Sequence, residues 1–512
     1  MIVERLNTHP FRGQWKYPDP LIIKPDMLKI DEGDNINGPS LIKVPSWVKD
    51  PLGKYYLYFS HHDGKYIRLA YADEIQGPYK IYDKGTLHVE DTPGKDHVAS
   101  PDVHIDEENK KIVLYYHTPY DDWQYTFKAE SEDGLNFTSE EENLGMFYFR
   151  VFKWKNRLFS IAKNKNISGI LYECVNGKWK PITNLIGKMR HAAVLVEDDV
   201  VNIFYTIVGE APESIYRSTF DIDKLEITST EKILYPLYNY EGSDLSMQPS
   251  TFGSGIGNQL RDPCIYSEDN TNYILYTVAG EAGIAIGKLH NTSKNIKKYN
   301  VWGMRRSGNH AIIEWLANHF DNTFHENDII NNRPWVTKIY NNKNNIIDCH
   351  IRSKEDFAPR ERDIGPHDII ILRDWYNMSA SRLVSGRGWK SSSRYPDRYD
   401  YIRSCEEVYL EYCRLWEKYP DNFILYNKWC EDPDYVKEIE SRYGWKNINR
   451  QLTLPKSGIG EGSSFKDNSA ENSYNERFEE IIDNYPYEWI DICSNKEINE
   501  YSKKIFGIEV LI

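Results

Sequence analysis

Nowhere in the 512 residues is there a run of about 18 apolar side chains, so no membrane-spanning helix is expected. Positive charge is in short supply. Against 63 Lys and Arg stand 77 Asp and Glu, a formal net charge of −14, which disfavours broad binding to nucleic acid or to an anionic membrane. Cysteine is sparse and scattered, at positions 174, 264, 349, 405, 413, 430 and 493, with no Cys-x-x-Cys spacing. An odd number so placed argues against a disulfide framework and against a cysteine-built structural zinc site. The stretch Met1–Pro10 has no basic end followed by an apolar core, so a secretory leader is not expected and the chain reads as cytoplasmic.

What is abundant is tyrosine, 38 residues of it, and its distribution is periodic. Tyr55-Tyr-Leu-Tyr-Phe-Ser60, Ile112-Val-Leu-Tyr-Tyr-His117, Leu158-Phe-Ser-Ile-Ala-Lys163, Val201-Asn-Ile-Phe-Tyr-Thr206 and Tyr273-Ile-Leu-Tyr-Thr-Val278 recur at intervals of roughly 45 to 70 residues. Acidic or Gly/Asn turns precede most of them. That interval suits a four-stranded blade with its loops, and five units predict a five-bladed β-propeller over residues 1–292. A two-sheet sandwich is the alternative, but its strands would not return in units of this length. The polar segment His290–Lys298 reads as a linker. From 299 to 512 the rhythm becomes strand–helix alternation, predicting an α/β domain on a parallel sheet.

Gly303-Met-Arg-Arg-Ser-Gly-Asn-His310 joins a predicted strand to a predicted helix. Backbone N–H groups at such a turn and the helix N-terminus form a phosphate site, and the forked donors of arginine suit phosphate or sulfate oxygens. A nucleoside-triphosphate loop ends in Gly-Lys-Ser/Thr, whose hydroxyl holds magnesium. Here Gly308 is followed by Asn309 and His310. A donor that needs no metal fits better, and no metal site is expected.

Four ordered segments in this half resemble the sulfotransferase family that uses 3′-phosphoadenosine 5′-phosphosulfate (PAPS). Arg306-Ser-Gly-Asn-His310 is similar to its 5′-phosphosulfate loop, with Arg in place of Lys, and the string Arg305–Ile312 is similar to a bacterial branch. Ile370-Ile-Leu-Arg-Asp-Trp-Tyr-Asn-Met-Ser-Ala-Ser381 matches its 3′-phosphate motif, which implies roles for Arg373 and, at a helix start, Ser381. Phe423–Pro433 is similar to its late strand–helix unit and puts Tyr426 near the nucleotide. Lys456–Phe465 resembles its glycine-rich closing loop. The resemblance therefore implies a P-loop-like fold with PAPS held by Arg305, Arg306, Ser307, Gly308, Asn309, His310, Arg373, Ser381, Tyr426, Gly460, Gly462 and Ser463. Arg306 would carry transition-state charge, and the product would be adenosine 3′,5′-bisphosphate. For the base that takes the acceptor's proton, His350 at a predicted strand end is the first choice, with His325, Glu326, Glu355 and Asp356 as rivals.

In the first half, Ile67–Tyr79, Ala99-Ser-Pro-Asp-Val103, Ala129–Leu135 and Leu260-Arg-Asp-Pro263 resemble glycoside hydrolase propellers of the arabinanase–xylosidase type. Such enzymes use carboxylates at the central mouth, which implies Asp102, Glu213, Glu241 and Asp262 as candidates and His62, His97, Arg190 and His191 as sugar contacts. The first blade departs from the pattern, reading Asn37-Gly38-Pro39 where an Asp-Pro is expected. The combined expectation is a sulfotransferase acting on a hydroxyl of a carbohydrate, joined to a propeller that binds or hydrolyses glycan. The alternatives are a P-loop sugar kinase and a non-catalytic glycan-binding scaffold.

Overall fold

The computed structural model describes residues 1–6, 20–29, 35–250, 255–329, 336–341, 343, 346–385, 398–446, 448, 482 and 485–509. They form two units, Met1–His290 and Asn291–Ile512. Among the described residues no helix is long and apolar enough to cross a membrane.

In the first unit, consecutive strands fold into antiparallel meanders. The first sheet is Asn37–Lys43, Tyr55–Ser60, Arg68–Ala72 and Lys80–Tyr82. The second is Ala99–Asp106, Lys111–Tyr120 and Trp123–Ser131, with the short strands Thr138–Ser139 and Gly145–Met146. Arg150–Trp154, Arg157–Asn164, Ser168–Val175 and Lys178–Gly187 make the third, and Met189–Glu197, Val200–Ile207, Ile215–Asp221 and Glu226–Leu234 the fourth. A further antiparallel set, Arg261–Glu268, Thr271–Thr277 and the start of Ile284–Gly303, is completed by the N-terminal strand Ile2–Arg5, which pairs Ile2 with His290 and Arg5 with Gly287.

Each tyrosine-rich string is the second strand of its set. Such a strand is covered on both faces, so it reads as a near-continuous apolar run rather than an alternating one; all six residues of Tyr55–Ser60 are buried. Neighbouring sheets pack face to face. Tyr56 and Tyr58 meet Leu114 and Phe127, Tyr115 meets Phe149, Phe159 meets Ile203, Phe204 meets Tyr276, and Leu275 returns to Leu57 and Phe59. The ring is therefore closed and propeller-like. Burying one such side chain stabilises the fold by roughly 1.5–3 kcal/mol.

The innermost strands enter the ring in a repeated way. Their pairing slips between Asn37 and Ser40, Ala99 and Asp102, Met189 and Ala192, and Arg261 and Cys264. In three of them the slip contains a left-handed residue: Gly38 (φ 60°), Ser100 (φ 52°) and Asp262 (φ 48°). Such bulges re-aim side chains at the end of a sheet.

The second unit is built on a mostly parallel sheet. The end of Ile284–Gly303 pairs with Ile346–Glu355 on one side and Asp368–Leu372 on the other. Thr323–Asn327 lies outside Ile346–Glu355, with antiparallel Val336–Tyr340 beyond it, and Phe423–Leu425 extends the opposite edge. Side chains alternate between the two faces. Val301, Ile369 and Ile371 pack with Ile312, Ile313 and Ile439 of the helices Asn309–Ala317 and Pro433–Tyr443. Trp302, Ile370 and Leu372 pack instead with Trp375, Tyr409, Ile492 and Ile498, from helices Trp375–Ser385, Arg398–Lys418, Pro486–Ser494 and Lys496–Phe506.

The expected linker His290–Lys298 lies within the strand Ile284–Gly303. Asn291 and Thr292 pair with Ile346 and Ile347, and Lys297 onward pairs with Cys349 onward, across a register shift; the side chains of Lys294, Asn295, Lys297 and Lys298 are exposed, while His290 is buried against Glu4.

Candidate functional site

In the second unit the central strand ends at Gly303, and the chain passes from there to strands on one side before returning to fill the other. Connections diverge at this point, and in open α/β sheets the crevice beyond such strand ends is where ligands bind. The turn that occupies it is Met304–Gly308. Arg306 (φ 71°) and Gly308 (φ 89°) are both left-handed, and the Ser307 N–H donates to Met304 O at 3.0 Å. Gly308 is the N-cap of Asn309–Ala317 and supplies no side-chain cap, leaving the first-turn N–H groups to the turn's own side. A Cβ on Gly308 would stand 2.1 Å from the Tyr426 ring, so the turn lies flat against that ring. Tyr426 stacks on Trp429 with centroids 5.9 Å apart. Arg373, buried at the end of Asp368–Leu372, donates from Nη1 to Arg306 O at 3.0 Å and lies 5.3 Å over Tyr426. Three segments far apart in sequence thus meet at one strand edge.

The side chains around the turn divide the work differently from the sequence expectation. Arg305 turns its guanidinium to carboxylates, reaching Asp328 at 2.8 Å and Glu355 at 3.2 Å, while its N–H donates to Asp356 at 2.9 Å. Asp356 is in turn held by Arg382, whose Nε donates to Arg305 O at 3.1 Å. Burial would raise the Asp356 carboxyl, but Arg382 and Arg305 hold it below the usual range. Asp328 moves the other way, raised by burial and by the nearby Glu355, and its Oδ1 has no hydrogen-bond partner among the described residues. Asn309 braces the turn, donating to Met304 O at 3.2 Å and Glu355 at 3.0 Å. The Ser307 hydroxyl is buried, 2.6 Å from Met304 O. His310 is half-buried in the first helical turn.

Ser381 is buried but lies in the second turn of its helix rather than the first, because Asp374 caps the helix earlier by accepting from the Asn377 N–H at 2.9 Å. His350 is not beside the turn. Gly303 pairs with Glu355 and Lys298 with His350, so His350 stands roughly 16 Å back along the strand, against Glu326 at 3.0 Å. Of the rival bases, His325 is fully buried on Ser353 and held well below the usual imidazole range by burial, whereas Glu355 and Asp356 reach the turn. Gly460, Gly462 and Ser463 lie outside the described residues. No local pattern marks Asp328, a carboxylate just past a neighbouring strand, or Arg382, a helical arginine whose partner Asp356 is remote in sequence.

In the first unit Glu213 and Asp262 share one cluster. Glu213 accepts from Arg190 at 2.8 Å and faces Arg261 at 3.3 Å. Arg261 also holds Glu281 at 2.9 Å, and Glu281 faces Asn37 at 3.1 Å and His62 at 3.7 Å. Asp262 accepts from the Gly38 N–H at 3.1 Å and touches His191; burial would raise its carboxyl, but His191 and these hydrogen bonds hold it low. Burial lowers His191 itself. Asp102 and Glu241 stand apart as latches. Asp102 accepts from His104 and from the Val151 N–H, both at 2.8 Å, joining the second and third sheets. It lies two residues past the left-handed Ser100, whereas Asp262 is itself the left-handed residue of its slip. Glu241 is closed off by Arg5 at 2.7 Å, Tyr276 at 3.0 Å and the Leu237 N–H at 2.7 Å.

A pattern missed in the sequence completes the cluster. At or near the ends of the second strands stand Ser60, His117, Lys163, Thr206 and Thr277, all buried polar residues. Around Tyr148 the ring centroids of His117 and His191 lie at 4.6 and 4.3 Å, and His97 follows His117 at 5.8 Å. A polar residue at the end of four of the five tyrosine-rich strings, and next to last in the fifth, was the available signal.

No protein-family model matches the chain. Uncharacterized protein R118 of Acanthamoeba polyphaga mimivirus is 32% identical over 312 residues, 51% of this chain and 85% of that protein. Solved structures resembling it include a glycoside hydrolase of the GH130 family of mannoside phosphorylases that targets β-1,2 mannosidic linkages in Candida mannan, 10% identical with a TM-score of 0.39, covering 56% of this chain and 93% of that one. A GH43 β-xylosidase/α-arabinofuranosidase from a compost microbial metagenome is 13% identical with a TM-score of 0.38, over 51% and 92%. An α-L-arabinofuranosidase from Lactobacillus brevis is 13% identical with a TM-score of 0.37, over 50% and 91%.

Proposed function

The chain belongs to the family of the mimivirus protein R118, and we propose that it is a PAPS-dependent sulfotransferase acting on a carbohydrate hydroxyl, with a five-bladed propeller that binds the glycan. The observation that carries the reading is the meeting of the Met304–Gly308 turn, Arg373 and Tyr426 at the divergence point of a parallel sheet. The turn and first-turn N–H groups suit the 5′-phosphosulfate, Arg373 suits a second phosphate, and Tyr426 offers an aromatic face to a base. The carboxamide of Asn309 stands where a magnesium-dependent loop places its lysine, and it is committed to the turn itself.

In the reaction the acceptor oxygen bonds to sulfur as the bond from sulfur to the bridging phosphate oxygen breaks. Charge then grows on that bridging oxygen, and Arg306 is the residue we assign to stabilise it. The hydroxyl proton passes to a carboxylate. Asp328 suits this role because it is raised by burial, has an unpartnered Oδ1 and is aligned by Arg305. In the propeller, Asp262, Glu213 and Glu281 are each matched with cationic or hydrogen-bonding partners, and Asp262 is held low, which suits binding better than acid catalysis. The test is incubation with PAPS and a panel of neutral and acidic oligosaccharides. Formation of adenosine 3′,5′-bisphosphate together with a sulfated sugar supports the reading; absence of turnover across the panel, with ATP-dependent phosphorylation instead, refutes it.

A further inference from the structure

The mouth of the first unit is asymmetric. On one side of Tyr148, Asp262, Glu213 and Glu281 lie against His191, Arg190 and Arg261. Toward the other, Lys163 Nζ lies 5.6 Å over Tyr148 and 5.3 Å over Phe147, still within electrostatic reach of Glu213 and Asp262. Arg150 there meets carbonyl oxygens, donating to Ala192 O at 3.0 Å and Ser100 O at 3.2 Å. His117, 3% exposed, keeps Nδ1 without a hydrogen-bond partner among the described residues. Tyr148 itself is half-buried and is held in a left-handed conformation (φ 66°) at the centre of these groups.

We propose that this side of the mouth is a subsite for an acidic sugar unit, one bearing a carboxylate or a sulfate ester, with the anionic group between Lys163 and His117 and the sugar ring on Tyr148. The proposal rests on the carbohydrate reading of the first unit and is independent of the donor site in the second. A partly exposed aromatic face flanked by convergent polar groups is how a pocket fixes a sugar's orientation. A left-handed non-glycine residue at such a point is strain of the kind functional sites retain. Burial and the Arg190 guanidinium pull the Lys163 amine down to about 7, and an arriving anion would restore its proton.

Calorimetry on the full chain tests this with methyl glucuronide, methyl glucoside 6-sulfate, methyl glucoside and inorganic sulfate. At least one acidic sugar is expected to bind about tenfold or more tightly than both methyl glucoside and sulfate. Lys163→Met and His117→Phe should each remove about tenfold or more of that affinity, and Lys163→Arg should retain most of it. Binding of adenosine 3′,5′-bisphosphate by each variant reports on folding and on the other site separately. Should Lys163→Met fail to fold, His117→Phe and Lys163→Arg decide. Equal binding of the neutral sugar, sulfate binding as tightly as the acidic sugars, or full affinity in His117→Phe overturns the proposal. Loss of sulfuryl transfer alone would leave it standing.

Discussion

The guanidinium of Arg373 donates to the carbonyl oxygen of Arg306 at 3.0 Å, tying the end of one parallel strand to the turn that follows its neighbour. Because that carbonyl belongs to a left-handed residue, the bond holds the turn in a shape the chain would otherwise avoid. Arg373 is therefore both a ligand candidate and a brace.

Gly308→Ala should destabilise the second unit by overpacking, which costs about 1–3 kcal/mol, with added strain from the positive φ. Its new methyl would meet the Tyr426 ring. Urea unfolding followed by tryptophan fluorescence checks this, and adding Tyr426→Ala should recover part of the loss.

Arg5→Ala should cost about 3–5 kcal/mol, because it leaves the fully buried Glu241 without its cation. The double variant Arg5→Ala with Glu241→Gln should be less destabilised than the single one, since no uncompensated charge remains. Thermal unfolding of both variants measures the difference.

Lys163 sets a pH dependence. Its amine is lowered to about 7 by burial and by Arg190, with Arg261 also opposing and Glu213 and Asp262 favouring the charge. Between about 7 and the ordinary lysine value near 10.4 the unfolded chain holds a proton the folded chain has lost, so stability should rise with pH across that window. Below it both states are protonated and the cost of the buried charge is fully present. The difference in melting temperature between wild type and Lys163→Met, followed from pH 6 to 10, should therefore move in favour of wild type as pH rises. A flat difference would mean that the amine titrates normally.

Asp328→Asn should lower kcat for sulfuryl transfer by about 10²-fold, within the range expected for losing a general base, and flatten the acidic limb of the pH–rate profile. Donor affinity should change little, which separates loss of a proton acceptor from a collapsed site. His350→Gln, distant along the strand, should leave the acidic limb in place.

Much of this arrangement is legible in the sequence where local physics is strong. The second strands of the first unit stand out because Tyr55–Ser60 and its counterparts are buried on both faces. The turn with Arg306 and Gly308, Arg373 and Tyr426 stands out because each sits at a strand end with turn chemistry of its own. What stays hidden depends on partners remote in sequence. An arginine such as Arg305 looks the same whether it awaits an anion or faces Asp328 and Glu355. Asp102 and Glu241 look like catalytic carboxylates until their partners, His104 with the Val151 N–H and Arg5 with Tyr276, are seen. Ser381 falls in a second turn because Asp374 with Asn377 starts the helix first, a capping signal that was present and could have been weighed. The strand through His290–Lys298 is polar enough to pass for a linker because its pairing, not its side chains, holds it in place.

The central claim is that the Met304–Gly308 turn with Arg373 and Tyr426 takes a 3′-phosphorylated adenine nucleotide without a metal. Isothermal calorimetry of adenosine 3′,5′-bisphosphate and of ATP, each with magnesium and with EDTA, tests it most directly. The account predicts that the bisphosphate binds at least about tenfold more tightly than ATP, unchanged by EDTA, and that Arg373→Ala removes most of that binding. Tighter binding of ATP that disappears with EDTA would contradict it.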